Sequence, residues 1–309
     1  MKLFITGISG LLGLNLALQA RERFQISGCY YAHPIVLDGI QALKADIAST
    51  DVLDRALRKI RPDVILHTAG LTNVEECEAN PVLAQRLNVE AVQHVAKIAD
   101  TLRARLIHIS TDHLYDGAEP WKKETDIPDP LNVYARTKWE AEQVVLKVCP
   151  DAMIIRTNFF GWGTSIRVSF SDWILNALAE NRELTMFNDV FFTPILINDL
   201  VDKMIDLMVR KATGIFHVAG GERLSKYAFA IELAQVFNYS KDKIRQISVE
   251  GFPFRAKRPK DMSLSSEKAG RYLGMRMPAV KDALNRLKEI ESEGHSAALE
   301  RAVQEGYLI

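Results

Sequence analysis

The sequence predicts an α/β protein: a doubly wound parallel sheet with helices on both faces, followed by a smaller C-terminal lobe. Two patterns carry that reading. Short apolar segments alternate with longer helical ones through the first half of the chain, and the short segments are apolar nearly throughout rather than at every second residue. Strands joined by helix-length connections cannot form hairpins and run parallel. Strands covered on both faces lose the polar half of the alternation.

The expected elements follow in order. Residues 3–6 read as a strand, 11–21 as a helix and 25–31 as a strand; a third strand precedes Asp46. Residues 51–60 are helical, 63–68 a buried strand, 80–102 a long helical stretch and 106–110 the fifth strand. A helix over 133–148 and a strand over 152–156 close the regular half. Beyond residue 160 the pattern loosens, with helices at 172–180, 199–209 and 226–237, extended segments at 191–196 and 214–218, and a mostly helical end over 280–304. The division expected is a dinucleotide-type domain over 1–160, to which 191–218 returns, and a lobe over 161–309.

Composition excludes several classes. The 309 residues carry 39 Lys+Arg against 39 Asp+Glu, a formal net charge of zero. A nucleic-acid binder needs a basic excess to neutralise phosphates, and polybasic docking to a membrane needs the same. Three cysteines (Cys29, Cys77, Cys149) with no C-x-x-C argue against a disulfide framework or a cysteine zinc site, and the histidines lack metal-ligand spacing, so no metal is expected. No apolar run approaches the ~20 residues of a membrane span. The apolar N-terminus is interrupted by Thr6, Gly7, Ser9, Gly10, Gly13 and Asn15, which is no signal-peptide core. The cytoplasm is the expected location.

Thr6-Gly7-Ile8-Ser9-Gly10-Leu11-Leu12-Gly13 joins the first strand to the first helix. Gly7 permits the tight turn, Gly10 lets backbone approach a diphosphate, and Gly13 lets helix and strand pack closely. Through Ser9, Leu11 and Leu12 the loop leads into a helix N-terminus whose free N–H groups and positive dipole end favour an anion. A dinucleotide of Rossmann-like binding mode is therefore expected. The second strand ends Cys29-Tyr30-Tyr31-Ala32-His33, with no acid to bind a ribose 2′-OH, which leans the cofactor to NADP(H), with NAD(H) open.

Tyr134-Ala135-Arg136-Thr137-Lys138 places a phenol and an ammonium one helical turn apart on one face. The ammonium is expected to pull the phenol's pKa from about 10 toward neutrality, so that Tyr134 exchanges a proton with a carbonyl oxygen as hydride reaches carbon. Ser110-Thr111-Asp112-His113 ends the fifth strand, and ligands of open α/β sheets bind beyond the carboxyl ends of strands, so Thr111 is expected to orient the substrate oxygen toward Tyr134. Asp112 and His113 are too close in sequence for a hydrolase triad with Ser110, and no G-x-S-x-G is present.

The G-x-x-G-x-x-G spacing resembles the extended short-chain dehydrogenase/reductase family. Ser110-Thr111-Asp112-His113-Leu114-Tyr115-Asp116-Gly117, Pro130-Leu131-Asn132-Val133-Tyr134, Arg156-Thr157 and Arg258-Pro259-Lys260-Asp261 with Leu264 resemble, within it, the reductases of dTDP-4-dehydrorhamnose. The resemblance implies hydride transfer from NAD(P)H to a 4-keto nucleotide sugar, with Thr111, Tyr134 and Lys138 as triad and Tyr134 and Lys138 also at the cofactor. It assigns Asp46-Ile47 to the adenine, Thr68-Ala69-Gly70 to the cofactor's flank, Asn73, Thr111 and Arg258 to the substrate, and the lobe to substrate binding. It admits a homodimer. The regulatory subunit of methionine adenosyltransferase is similar to the same family, binds NADP and keeps Tyr-x-x-x-Lys. A non-catalytic NADP-binding partner is therefore the alternative, beside a nucleotide-sugar epimerase or dehydratase.

Overall fold

A computed structural model of the chain describes residues 1–307, so the last two positions of the expected lobe lie outside it. The first half runs β1 (Lys2–Thr6), α1 (Leu11–Ala20), β2 (Gln25–Tyr30), β3 (Gln41–Lys44), α2 (Thr50–Ile60), β4 (Val64–His67), α3 (Val74–Ala79), α4 (Pro81–Gln85), a π-helical turn (Arg86–Glu90), α5 (Ala91–Leu102), β5 (Arg105–Ile109), α6 (Val133–Val148) and β6 (Met153–Arg156). The second half runs β7 (Phe159–Phe160), α7 (Phe170–Ala179), β8 (Leu184–Phe187), β9 (Phe191–Phe192), β10 (Ile195–Leu196), α8 (Ile197–Val209), β11 (Gly214–His217), β12 (Leu224–Ser225), α9 (Lys226–Val236), β13 (Ile244–Ile247), α10 (Glu267–Leu273), α11 (Val280–Ser292) and α12 (His295–Gly306).

Seven parallel strands form the central sheet in the order β11-β6-β5-β4-β1-β2-β3. Alternate residues of each strand feed different cores, which explains the unbroken apolar runs. Leu3 and Ile5 of β1 pack with Leu14, Leu200 and Leu299 beneath α1, α8 and α12. Phe4, between them, packs with Leu53, Val95 and Val145 beneath α2, α5 and α6. Strand order reverses between β1 and β4, so the crevice at their carboxyl ends is where a ligand has room. A third core (Phe160, Leu178, Phe229, Leu284) joins α7, α9 and α11 beside the parallel pair β8–β13.

Two of the expected helical stretches hold with finer detail, and one extended segment needs correction. The stretch 80–102 is helical from Pro81 to Leu102, with α4 passing through the π turn into α5. Residues 191–196 are not one extended segment, because Thr193-Pro194 parts β9, which pairs with β12, from β10, which pairs with β7. The end 280–304 is mostly helical as expected, divided into α11 and α12 at Gly294, whose φ of 82° is left-handed.

Candidate active site

The glycine turn is built as a cradle. Gly7 takes φ +68°, and Gly10 N–H returns to Gly7 O at 2.8 Å. A Cβ on Gly13 would lie 2.3 Å from Gly7 O, so only glycine lets α1 pack here. Helix α1 has no side-chain cap and no acid in its first turn, which leaves its free N–H groups and positive end open to an anion. Ile8 N–H donates to Cys29 O, seating the turn against the end of β2. Thr68 Oγ1 donates to Thr6 O at 2.7 Å, and Ala69 lies 3.0 Å from the Cβ position of Gly7, so Thr68-Ala69-Gly70 flanks the cradle. These features fit a dinucleotide: an open helix terminus for its diphosphate and small residues beside it.

Asp46 lies in the loop after β3 and accepts from Ala48 N–H at 2.9 Å, with Ile47 half-buried beside it. Asn73 is the exposed N-cap of α3, its side chain accepting from Glu76 N–H at 3.1 Å. Its oxygen is committed to that helix.

Helix α6 starts at Asn132, which accepts from Ala135 N–H and donates through Nδ2 to Lys257 O, both at 2.9 Å. Tyr134 and Lys138 follow on one face, both buried. Lys138 Nζ donates to Ile109 O at 2.7 Å and lies 3.4 Å from His108 Nε2. The Tyr134 ring meets His113 edge-on at 5.7 Å, and Thr111 acts on its phenol in the direction of a lower pKa. Strand β5 and α6 thus bring Thr111, Tyr134 and Lys138 together. Ser110 Oγ and His113 Nδ1 are buried without partners.

The expected acidification of the phenol is overturned. Burial pushes Tyr134 up to about 12, against which Thr111 pulls only partly. The Lys138 ammonium is turned to Ile109 O and does not act on the phenol, and its own pKa falls to about 8 because burial disfavours its charge. The phenol is held as a proton donor.

Sequence reasoning missed Asn88, on the π turn. Its Oδ1 accepts from Leu71 N–H at 2.8 Å, and its Nδ2 donates to Leu71 O at 3.0 Å and to Thr137 Oγ1 at 3.2 Å. One side chain thereby ties the loop after Gly70 to the residue before Lys138. A poor helix former in mid-helix was its signal. Also missed were Asn158 and Lys226. Asn158 Nδ2 donates to Asp112 Oδ2 at 2.7 Å, and burial raises this carboxyl to about 6.

Beside these groups opens a cavity of about 710 Å³, lined by His113, Asn158, Phe170, Trp173, Lys226 and Arg258 among others. Arg258 bonds Glu75 through Nη2 at 2.8 Å and lies 5.0 Å over the Phe254 ring, while its Nε is buried without a partner. Among the described residues no His/Cys/Asp/Glu group could hold a metal ion, and no helix is long and apolar enough to cross a membrane.

The family model described as RmlD substrate binding domain matches residues 1–292. A dTDP-4-dehydrorhamnose reductase of Escherichia coli is 32% identical over 262 residues, covering 78% of this chain and 85% of that protein. Methionine adenosyltransferase 2 subunit beta of Xenopus laevis is 29% identical over 270 residues, covering 80% and 75%. The crystal structure of dTDP-4-dehydrorhamnose reductase from Bacillus anthracis in complex with NADP superposes with a TM-score of 0.83 at 25% identity, over 94% of this chain and 99% of that one.

Proposed function

The chain belongs to the RmlD substrate binding domain family, with the dTDP-4-dehydrorhamnose reductases among its relatives, and on that premise we propose that it is an NAD(P)H-dependent reductase of a 4-keto nucleotide sugar. The observation that carries the reading is the meeting of Thr111, Tyr134 and Lys138 at the end of β5, next to His113, which lines the cavity. The cofactor is NADP(H), with NAD(H) as the second choice; NADP is what the Bacillus anthracis reductase holds.

Hydride is what the reduced nicotinamide supplies when bound. Gly7, Ser9, Gly10, Leu11, Leu12 and Gly13 would hold the diphosphate, Thr68-Ala69-Gly70 would leave room beside it, and Asp46-Ile47 would flank the adenine. Tyr134, kept neutral by burial, donates its proton to the carbonyl oxygen. Thr111 orients that oxygen, and Lys138, fixed by Ile109 O, would hold the nicotinamide ribose. Asn73 and Arg258 contact the nucleotide sugar. Residues 1–160, with 191–218 returning to them, form the dinucleotide domain, and 161–309 mainly the substrate lobe. The protein works in the cytoplasm, and a homodimer is its assembly.

Similarity to the methionine adenosyltransferase subunit favours a second reading, a cofactor-holding partner without turnover. The test mixes purified protein, NADPH and a panel of 4-keto sugar nucleotides and follows the absorbance of the reduced nicotinamide. Consumption with one of them, lost in Tyr134→Phe, is expected. No turnover with any of them, together with tight co-purification of another protein, would overturn the reductase.

A further inference from the structure

Lys226 opens α9 directly after its Ser225 cap and enters the wall of the cavity. Its Nζ lies 3.3 Å from the centroid of the Phe192 ring and 4.7 Å from that of Phe170. Rings stabilise a cation electrostatically but accept none of its three N–H donors in a conventional hydrogen bond. Among the described residues no acceptor takes them. Asp112 acts on the ammonium only through space, from a buried position where Asn158 and Thr111 occupy its oxygens. Lys226 is half-buried and lines the cavity, so its N–H donors are open to an acceptor that enters there.

The rest of the cavity narrows the ligand. No acidic side chain lines it, whereas Lys226 and Arg258 both do. Arg258 is already engaged by Glu75, yet keeps one buried N–H without a partner. Of the two, Lys226 is the cation without an ion-pair partner. A nucleotide sugar concentrates its negative charge in the diphosphate, and the sugar and base are neutral. We propose that Lys226 is a diphosphate-binding residue, the second cation with Arg258 on the phosphates of the nucleotide sugar. The assignment rests on the nucleotide-sugar reading above. Burial lowers Lys226 to about 8, which leaves it mostly charged at neutral pH.

The test needs no turnover. Calorimetry with thymidine diphosphate and uridine diphosphate measures affinity in the wild-type chain, Lys226→Met and Lys226→Arg, and NADPH affinity verifies that each variant is folded. Lys226→Met is expected to weaken the diphosphate that binds by about ten- to a hundredfold, the usual worth of one charge-assisted contact. Lys226→Arg restores most of it, and NADPH binding stays unchanged. A second measurement uses the wild-type chain alone: thymidine diphosphate, and not thymidine, protects Lys226 from an amine acetylating reagent, read by peptide mass. Unchanged diphosphate affinity in folded Lys226→Met, or equal protection by the bare nucleoside, overturns the assignment and leaves the reductase standing. If the wild-type chain binds neither diphosphate, the assignment falls, and the turnover assay decides the reductase separately.

Discussion

Tyr134→Phe separates chemistry from binding and fold. The phenol is 8% exposed, and burial raises it to about 12, so at pH 7 roughly one molecule in 10⁵ is ionised and the donor is always loaded. Removing the hydroxyl leaves the ring, and with it the 5.7 Å edge contact to His113, in place. The hydroxyl's interaction with Thr111 goes with it, so the stability cost is at most about 1 kcal/mol. A positioned proton donor contributes roughly 10²–10⁴-fold, which at 1.36 kcal/mol per decade is about 3–5 kcal/mol of barrier. Steady-state NADPH oxidation should show kcat lowered by that factor, with NADPH affinity by calorimetry within about twofold of wild type. The pH profile sharpens the test. Lys138 acts as an ammonium, and its pKa is lowered to about 8, so the charged form is lost as pH rises through 8 rather than 10.5. At pH 9 about a tenth remains, and kcat at saturating substrates should fall about tenfold per unit, while the phenol does not titrate in that range. Lys138→Arg should move the fall beyond pH 10. Near-wild-type kcat in Tyr134→Phe, or an unmoved alkaline limb in Lys138→Arg, would refute the assignment.

Gly10→Val and Gly13→Val should fail differently. A Cβ at Gly10 meets only Gly7 O, at 3.1 Å, so that variant folds but loses NADPH binding, whereas the 2.3 Å approach at Gly13 should cost melting temperature as well; thermal scans with calorimetry check both. Glu142 holds Arg156 through Nε and Nη2 in a pair almost wholly buried, so Glu142→Leu should cost about 3–5 kcal/mol in urea titration by stranding the guanidinium, and adding Arg156→Met should recover most of it. Asp112 is raised from 3.8 to about 6 chiefly by burial, so its ionised form destabilises the fold above pH 6, and that penalty is relieved as pH falls toward 4. Asp112→Asn should therefore melt higher than wild type at pH 7.5, with the gap closing by pH 4; a lower melting point at pH 7.5 contradicts the sign.

What the sequence showed was local. Glycine spacing, the Tyr134–Lys138 interval and the strand–helix alternation each lie within a few residues, where backbone geometry ties spacing directly to shape. Asn88 was hidden because its meaning comes from Leu71 and Thr137, 17 and 49 residues away. The β8–β13 pair joins Leu184 to Ile244, across a separation no periodicity reports. The direction of the Tyr134 shift was misread for the same reason. Spacing puts an ammonium on the phenol's face of the helix, but burial and the competing Ile109 carbonyl decide which group feels it.

Five consecutive residues at the end of β5 show why the site sits there. Ile109 offers its carbonyl to Lys138, and Thr111 lowers the pKa of the Tyr134 phenol against burial. Asp112 is held by Asn158 and pulls on Lys226 through space, while His113 packs on Tyr134 and faces the cavity. Ser110 N–H donates to Ile155 O at 2.7 Å, pinning the segment to β6 after the ladder with β4 has stopped. A strand leaving its sheet frees successive side chains to turn in different directions, so one short segment reaches the α6 lysine, the α6 phenol and the α9 lysine at once. No single helix could do so, because neighbouring positions there diverge by about 100° and only every third or fourth returns to one face. A shift in the angle between β5 and α6 would therefore disturb Lys138 and Tyr134 together. The Glu142–Arg156 pair, which joins α6 to the end of β6, opposes that shift from the far side of Lys138.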